Sequence, residues 1–130
     1  MGKGRSFGEV IRELRKAKNL SQRELAERVA ARLRSEDRRG FDFTYLSKIE
    51  NNRLPPPSTA AILQLAAELD ADSDELLALA KKAPSDVGAT LQKSEGARLF
   101  YRSAVNLDLS DEDWKKLLEK LQRMKRGEGE

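Results

Sequence analysis

The chain has 130 residues, with 25 Lys and Arg against 22 Asp and Glu, and with neither cysteine nor histidine. Disulfides, the common zinc sites, cysteine nucleophiles and every histidine-based triad are thereby excluded; a carboxylate-only Mg²⁺ or Ca²⁺ site is the one metal arrangement left open. Ala, Leu, Glu, Lys and Arg dominate, which is helix-forming chemistry sufficient for one or two small domains. No apolar run is long enough to cross a bilayer and no signal peptide opens the chain, so a soluble cytoplasmic protein is expected. Residues 1–53 carry 14 Lys and Arg against 8 Asp and Glu, whereas residues 54–130 carry 11 against 14. A basic half joined to an acidic half suits a polyanion partner for the first, although charged residues coating helix faces would give the same balance.

Residues 1–5 read as a basic tail; their glycines lack the spacing of a phosphate loop. A first helix is expected from Ser6, which with Glu9 makes a capping box, and Phe7, Val10, Ile11 and Leu14 recur at helical spacing. Asn19 and Leu20 mark its exit. Ser21-Gln22-Arg23-Glu24 is a second capping box, and Leu25, Ala26, Val29 and Leu33 extend one apolar face, which predicts a lengthened second helix. Residues 35–40 read as a polar loop closed by Gly40. Asp42 is a good N-cap for a third helix with Leu46 and Ile49 facing the core, and Asn51-Asn52 can leave it through a left-handed conformation. Three prolines, Pro55 to Pro57, then impose an extended connector.

Ser58 caps a fourth helix whose apolar residues are Ile62, Leu63, Leu65, Ala66 and Leu69. Asp72 and Glu75 form a further box for a fifth helix, with Leu76, Leu77, Leu79 and Ala80 inside. Pro84 punctuates the chain, and the division falls between 1–83 and 84–130. In the second region a short helix is expected over 85–92 and another over about 95–105 with Phe100 on it. Ser110 caps a last helix with Trp114, Leu117, Leu118, Leu121 and Met124 along one stripe.

Two segments carry the functional signal: Leu20-Ser21-Gln22-Arg23-Glu24-Leu25-Ala26, and Tyr45-Leu46-Ser47-Lys48-Ile49-Glu50-Asn51-Asn52-Arg53. In these the chain resembles the lambda-repressor-like, or Xre, family of helix-turn-helix transcription regulators, over roughly residues 6–82. The resemblance implies an all-α fold, a five-helix DNA-binding domain followed by a small helical dimerisation region. It implies binding to double-stranded operator DNA as a homodimer. No carboxylate pair or nucleophile sits in a recognisable motif, so no enzymatic activity is expected, nor a cofactor, metal or membrane partner. The first helix of the motif crosses the DNA backbone and the second enters the major groove.

On that pattern Gln22 and Arg23 fall at the backbone-crossing end, and Phe43, Thr44 and Lys48 face base edges. Phe43 could pack on a thymine methyl or instead serve the core. Tyr45 divides between packing on helix two and a phosphate contact. Asn51 and Arg53 follow the recognition helix where phosphate contacts are common, and Asn51 could equally cap it. Ser47 and Glu50 read as structural. The 18 residues between Ala26 and Tyr45 exceed the usual turn, with the insertion at about 30–39. Its arginines, Arg32, Arg34, Arg38 and Arg39, either add phosphate or minor-groove contacts or belong to a solvated loop.

One such domain covers a half-site, so residues 84–130 are expected to dimerise through Trp114, Leu117, Leu118, Leu121, Met124 and Phe100, unless that stripe packs within its own chain. Relatives with this plan often repress their own operon, and some are inactivated by a zinc metallopeptidase that cleaves the tail in stress-response or phage-defence operons; Leu99 to Ala104 is the segment such cleavage would need accessible. An antitoxin or adaptor whose C-terminal region binds a protein partner is the alternative. RNA binding is disfavoured because no aromatic stacking platform is visible.

Overall fold

A computed structural model of the chain describes residues 4–127. The outermost parts of both expected tails, 1–3 and 128–130, lie outside the described residues. The chain divides into two compact units, one ending at Pro84 and one beginning at Ser85. The described residues form helices joined by turns and short connectors, without strands.

In the first unit α1 (Phe7–Ala17) and α2 (Gln22–Arg32) begin as the sequence requires. Ser6 and Ser21 each accept a hydrogen bond from the backbone N–H of the third helical residue, Glu9 and Glu24, whose carboxylates return to the cap backbone. Both boxes satisfy donors that no helical carbonyl can reach. The Ser21 backbone and hydroxyl hydrogen bonds hold the Glu24 carboxyl below the usual carboxylate range. The chain leaves α1 through Asn19 at φ 57°.

The expected polar loop over 35–40 is corrected. The second helix stops at Arg32, and a one-turn helix, α3 (Ser35–Arg38), follows. Leu33 and Phe41, both buried, anchor the two sides of this segment. Inside it Arg38 N–H donates to the Arg34 carbonyl at 2.8 Å. Glu36 and Asp37 in the first turn and Arg38 in the last complement the helix dipole. Among the described residues the first unit therefore holds six helices rather than five, the additional one being the single turn of α3. Gly40, at φ 78°, turns the chain into α4 (Phe43–Glu50). Asp42 caps α4 by accepting from Tyr45 N–H at 2.9 Å.

α5 (Thr59–Leu69) starts at the Ser58 cap and α6 (Ser73–Leu79) at Asp72. The expected box at α6 is half made: Asp72 accepts from Asp74 and Glu75, with no return bond from Glu75. Leu79, expected inside, is exposed, because the helix ends there and its buried side is set by Leu76 and Leu77. One core runs through the unit, centred on Ile11, Leu25, Leu46, Ile49, Ile62 and Leu65, with α2 packed on both α4 and α5, and α1 on α4. The α1–α4 approach is so close that a Cβ at Gly8 would run into the backbone carbonyl of Ile49, a contact only glycine tolerates.

The second unit comprises α7 (Ser85–Lys93), α8 (Glu95–Asn106) and α9 (Asp111–Lys125). Ser94 and Ser110 supply caps, the latter in a full box with Asp113. Among its described residues only Ala104 is buried. The α9 stripe is only partly covered within its own chain. Trp114 is 38% exposed, Leu118 50%, Leu121 58% and Met124 66%, with Phe100 on α8 at 58%; Leu117 is half-buried. Phe100, Ala104, Leu107, Leu109 and Leu117 line an open groove of about 450 Å³.

Candidate nucleic-acid interface

Helix α4 has two faces. Leu46, Ile49 and Glu50 point into the core, whereas Phe43, Thr44 and Lys48 are exposed. Phe43 is thus not a core residue; Phe41 occupies that role and meets Tyr45 edge-on, with ring centroids 5.4 Å apart and planes at 76°. Tyr45 is half-buried, and burial pushes its phenol pKa above the ordinary value.

The core side of α4 carries a buried charge. Glu50 is 1% exposed and receives a two-pronged contact from Arg15: Nε donates to Oε2 at 2.7 Å and Nη2 to Oε1 at 2.9 Å. Such planar pairing is the strong form of a carboxylate–arginine contact. Arg15 Nη1 also donates to the Leu20 carbonyl at 2.9 Å, and no buried polar side-chain atom among the described residues lacks a partner. Gln22 Nε2 donates to Glu50 Oε1 at 2.9 Å. The amide at the start of α2 is therefore held from below by α4, with its second N–H outside that bond. Arg12 lies 3.6 Å from Glu50 through Nε and donates to the Asn51 side chain through Nη2.

Arg12 and Arg15 were not singled out from sequence. The available signal was Phe7, Ile11 and Arg15 at intervals of four, which places Arg15 on the buried stripe of α1. Asn51 acts as C-cap, its Nδ2 donating to the Ser47 carbonyl at 2.9 Å, and Asn52 then turns through φ 60°. Arg53 is exposed beyond this turn.

Arg23, exposed on α2, lies over the Phe43 ring with its guanidinium carbon 4.1 Å from the centroid. The N-terminal ends of α2 and α4 thus meet at one surface carrying Gln22, Arg23, Phe43 and Thr44. The insertion arginines are not equivalent. Arg32 is paired with Glu68 of α5, which Arg28 also approaches at 3.9 Å. Arg38 donates to the Leu33 carbonyl at 3.0 Å. Arg34 and Arg39 are exposed.

A helix-turn-helix domain family model matches residues 8–82 of the chain. The match covers more than half of the sequence and spans α1 to α6, and the chain belongs to this helix-turn-helix family, in keeping with an Xre-like DNA-binding regulator. Searches of curated proteins and of solved structures gave no match. No helix among the described residues is long and apolar enough to cross a membrane.

Proposed function

We propose that the protein is an autoregulating transcription repressor that grips a palindromic operator as a homodimer. The observation that carries this reading is the two-faced α4: its inner residues are locked into the core while Phe43, Thr44 and Lys48 stand exposed beside the start of α2. A helix presented in this way can enter the major groove with its N-terminal side chains at base edges. Lys48 reaches a guanine edge or a phosphate, and Thr44 offers a hydroxyl or a methyl. Gln22, Asn51, Arg53 and the Tyr45 hydroxyl serve the backbone. Arg34, Arg38 and Arg39 add charge toward flanking phosphates, whereas Arg32 is occupied by Glu68.

Dimerisation through α8 and α9 is supported by the exposed Phe100, Trp114, Leu118, Leu121 and Met124, an apolar surface that water disfavours and a second copy would cover. Relief of repression by a zinc metallopeptidase, in a stress or phage-defence operon, is compatible with the exposure of Leu99, Phe100 and Tyr101. These residues lie within α8, so cleavage there requires that helix to open first. The same surface favours the second reading, an antitoxin or adaptor whose tail binds a different protein.

The test is a mobility shift on duplex DNA upstream of the protein's own gene at several salt concentrations, using the full chain and its Leu118→Lys, Leu121→Lys variant. Salt-sensitive binding that collapses in the variant supports the dimeric repressor. Equal binding by both moves the tail to a protein partner. No preference for that DNA over a scrambled duplex sinks the operator reading.

A further inference from the structure

The arginines of the first unit differ in what holds them. Arg12 and Arg15 serve Glu50, Arg28 and Arg32 serve Glu68, Arg5 pairs with Glu13, and Arg38 donates to a carbonyl. Arg23 is held by a ring instead: among the described residues its guanidinium is partnered by Phe43 and by no carboxylate. We propose that Arg23, stacked on Phe43, reads a base rather than a phosphate, and that the pair selects a guanine next to a thymine in each half-site. The inference rests on the operator-binding reading above and assigns it a specific base step.

The geometry supports this in three ways. Arg23 is the second residue of α2 and Phe43 the first of α4, so the stack bridges the N-terminal ends of the two motif helices at the surface facing DNA. The ring lies 4.1 Å from the guanidinium carbon and takes none of its N–H groups as a hydrogen-bond acceptor would, so a fork of them can meet guanine O6 and N7. A phosphate contact needs charge but no fixed plane; a two-pronged base contact needs the plane, and the ring supplies it before DNA arrives. Phe43 has no hydrogen-bonding group, is 39% exposed, and offers an apolar edge suited to the thymine 5-methyl.

The experiment selects bound duplexes from a random pool with the full chain, then measures affinity for the selected site. Guanine is expected beside thymine in both halves of the selected sequence. Replacing that guanine with 7-deazaguanine removes N7 alone and should weaken wild-type binding about tenfold, with little effect on Arg23→Ala. Replacing the thymine with uracil removes one methyl and should cost wild type about fourfold, with little effect on Phe43→Ala. Phe43→Leu, which keeps an apolar contact but removes the stack, should lose guanine preference while retaining sensitivity to the methyl. Both side chains are exposed, so the variants should keep the wild-type melting temperature.

If Arg23→Ala weakens every duplex by one factor and lowers the salt slope by about one, Arg23 is a phosphate contact and the proposal is overturned. Full guanine preference in Arg23→Ala overturns it as well. A wild-type chain that enriches no sequence overturns the operator reading itself, and the base assignment with it.

Discussion

The two units are built from similar residue types and capped by the same serine chemistry, yet they use their apolar side chains in opposite ways. In the first, Leu, Ile and Val from α1, α2, α4, α5 and α6 converge on one core, and even a glutamate is buried there with its arginine. In the second, the described part of three helices, two of them serine-capped, buries only Ala104. Helix formation and core formation are separable: a cap and a 3.6-residue period specify a helix, whereas burial requires several such faces to meet. The first unit has enough faces to close on itself. The second has too few, and most of its stripe on α9 stays exposed.

The largest effects expected from breaking this contrast lie at the buried pair. Glu50→Ala strands Arg15 in the core and should cost about 3–5 kcal/mol by urea unfolding. It should also weaken DNA binding, because Gln22 loses the carboxylate that holds it. Gly8→Ala, which sets a methyl against the Ile49 carbonyl, should cost about 2 kcal/mol or more in the same assay. A Glu50→Ala protein as stable as wild type would refute the view that this pair organises the first unit.

In the second unit the Leu118→Lys, Leu121→Lys variant should leave the melting of the first unit unchanged. It should weaken self-association by about 3 kcal/mol, or roughly a hundredfold, in analytical ultracentrifugation. A wild-type chain that is monomeric throughout would remove the homodimer and favour a foreign partner for the stripe.

Smaller still is the cap of α2. Ser21→Ala should cost about 1 kcal/mol. Since the folded-state pKa of Glu24 is lowered, its contribution is complete above the ordinary carboxylate pKa and is lost as pH falls through the folded value. The thermal stability difference between wild type and Glu24→Gln should accordingly shrink as acid is added below about pH 4.5, the ordinary value for this group. The smallest effect is expected at Arg32→Ala, which breaks an exposed pair with Glu68 and should change stability by less than about 1 kcal/mol.

Much of the fold was legible in the chain because its signals are local. Ser6 with Glu9, Ser21 with Glu24, Asp42, Ser58 and Ser110 are caps readable within four residues, and Asn52 and Gly40 mark turns by their tolerance of positive φ. The periodic stripes likewise identify Leu25, Leu46, Ile49 and Ile62 as core. The candidate interface was legible only in outline. The exposed set on α4 follows from the same period, but what each side chain touches does not.

Tertiary structure alone decided that Glu50 meets Arg15 and Gln22, 35 and 28 residues away. It also decided that Arg32 belongs to Glu68, that Gly8 admits the α4 backbone, and that Phe43 lies under Arg23. The physical reason is one of range. Caps and periods are set by the hydrogen-bonding and spacing rules of a single helix, whereas the partner of a long charged or aromatic side chain depends on how helices distant in sequence cross, and no local pattern encodes that crossing.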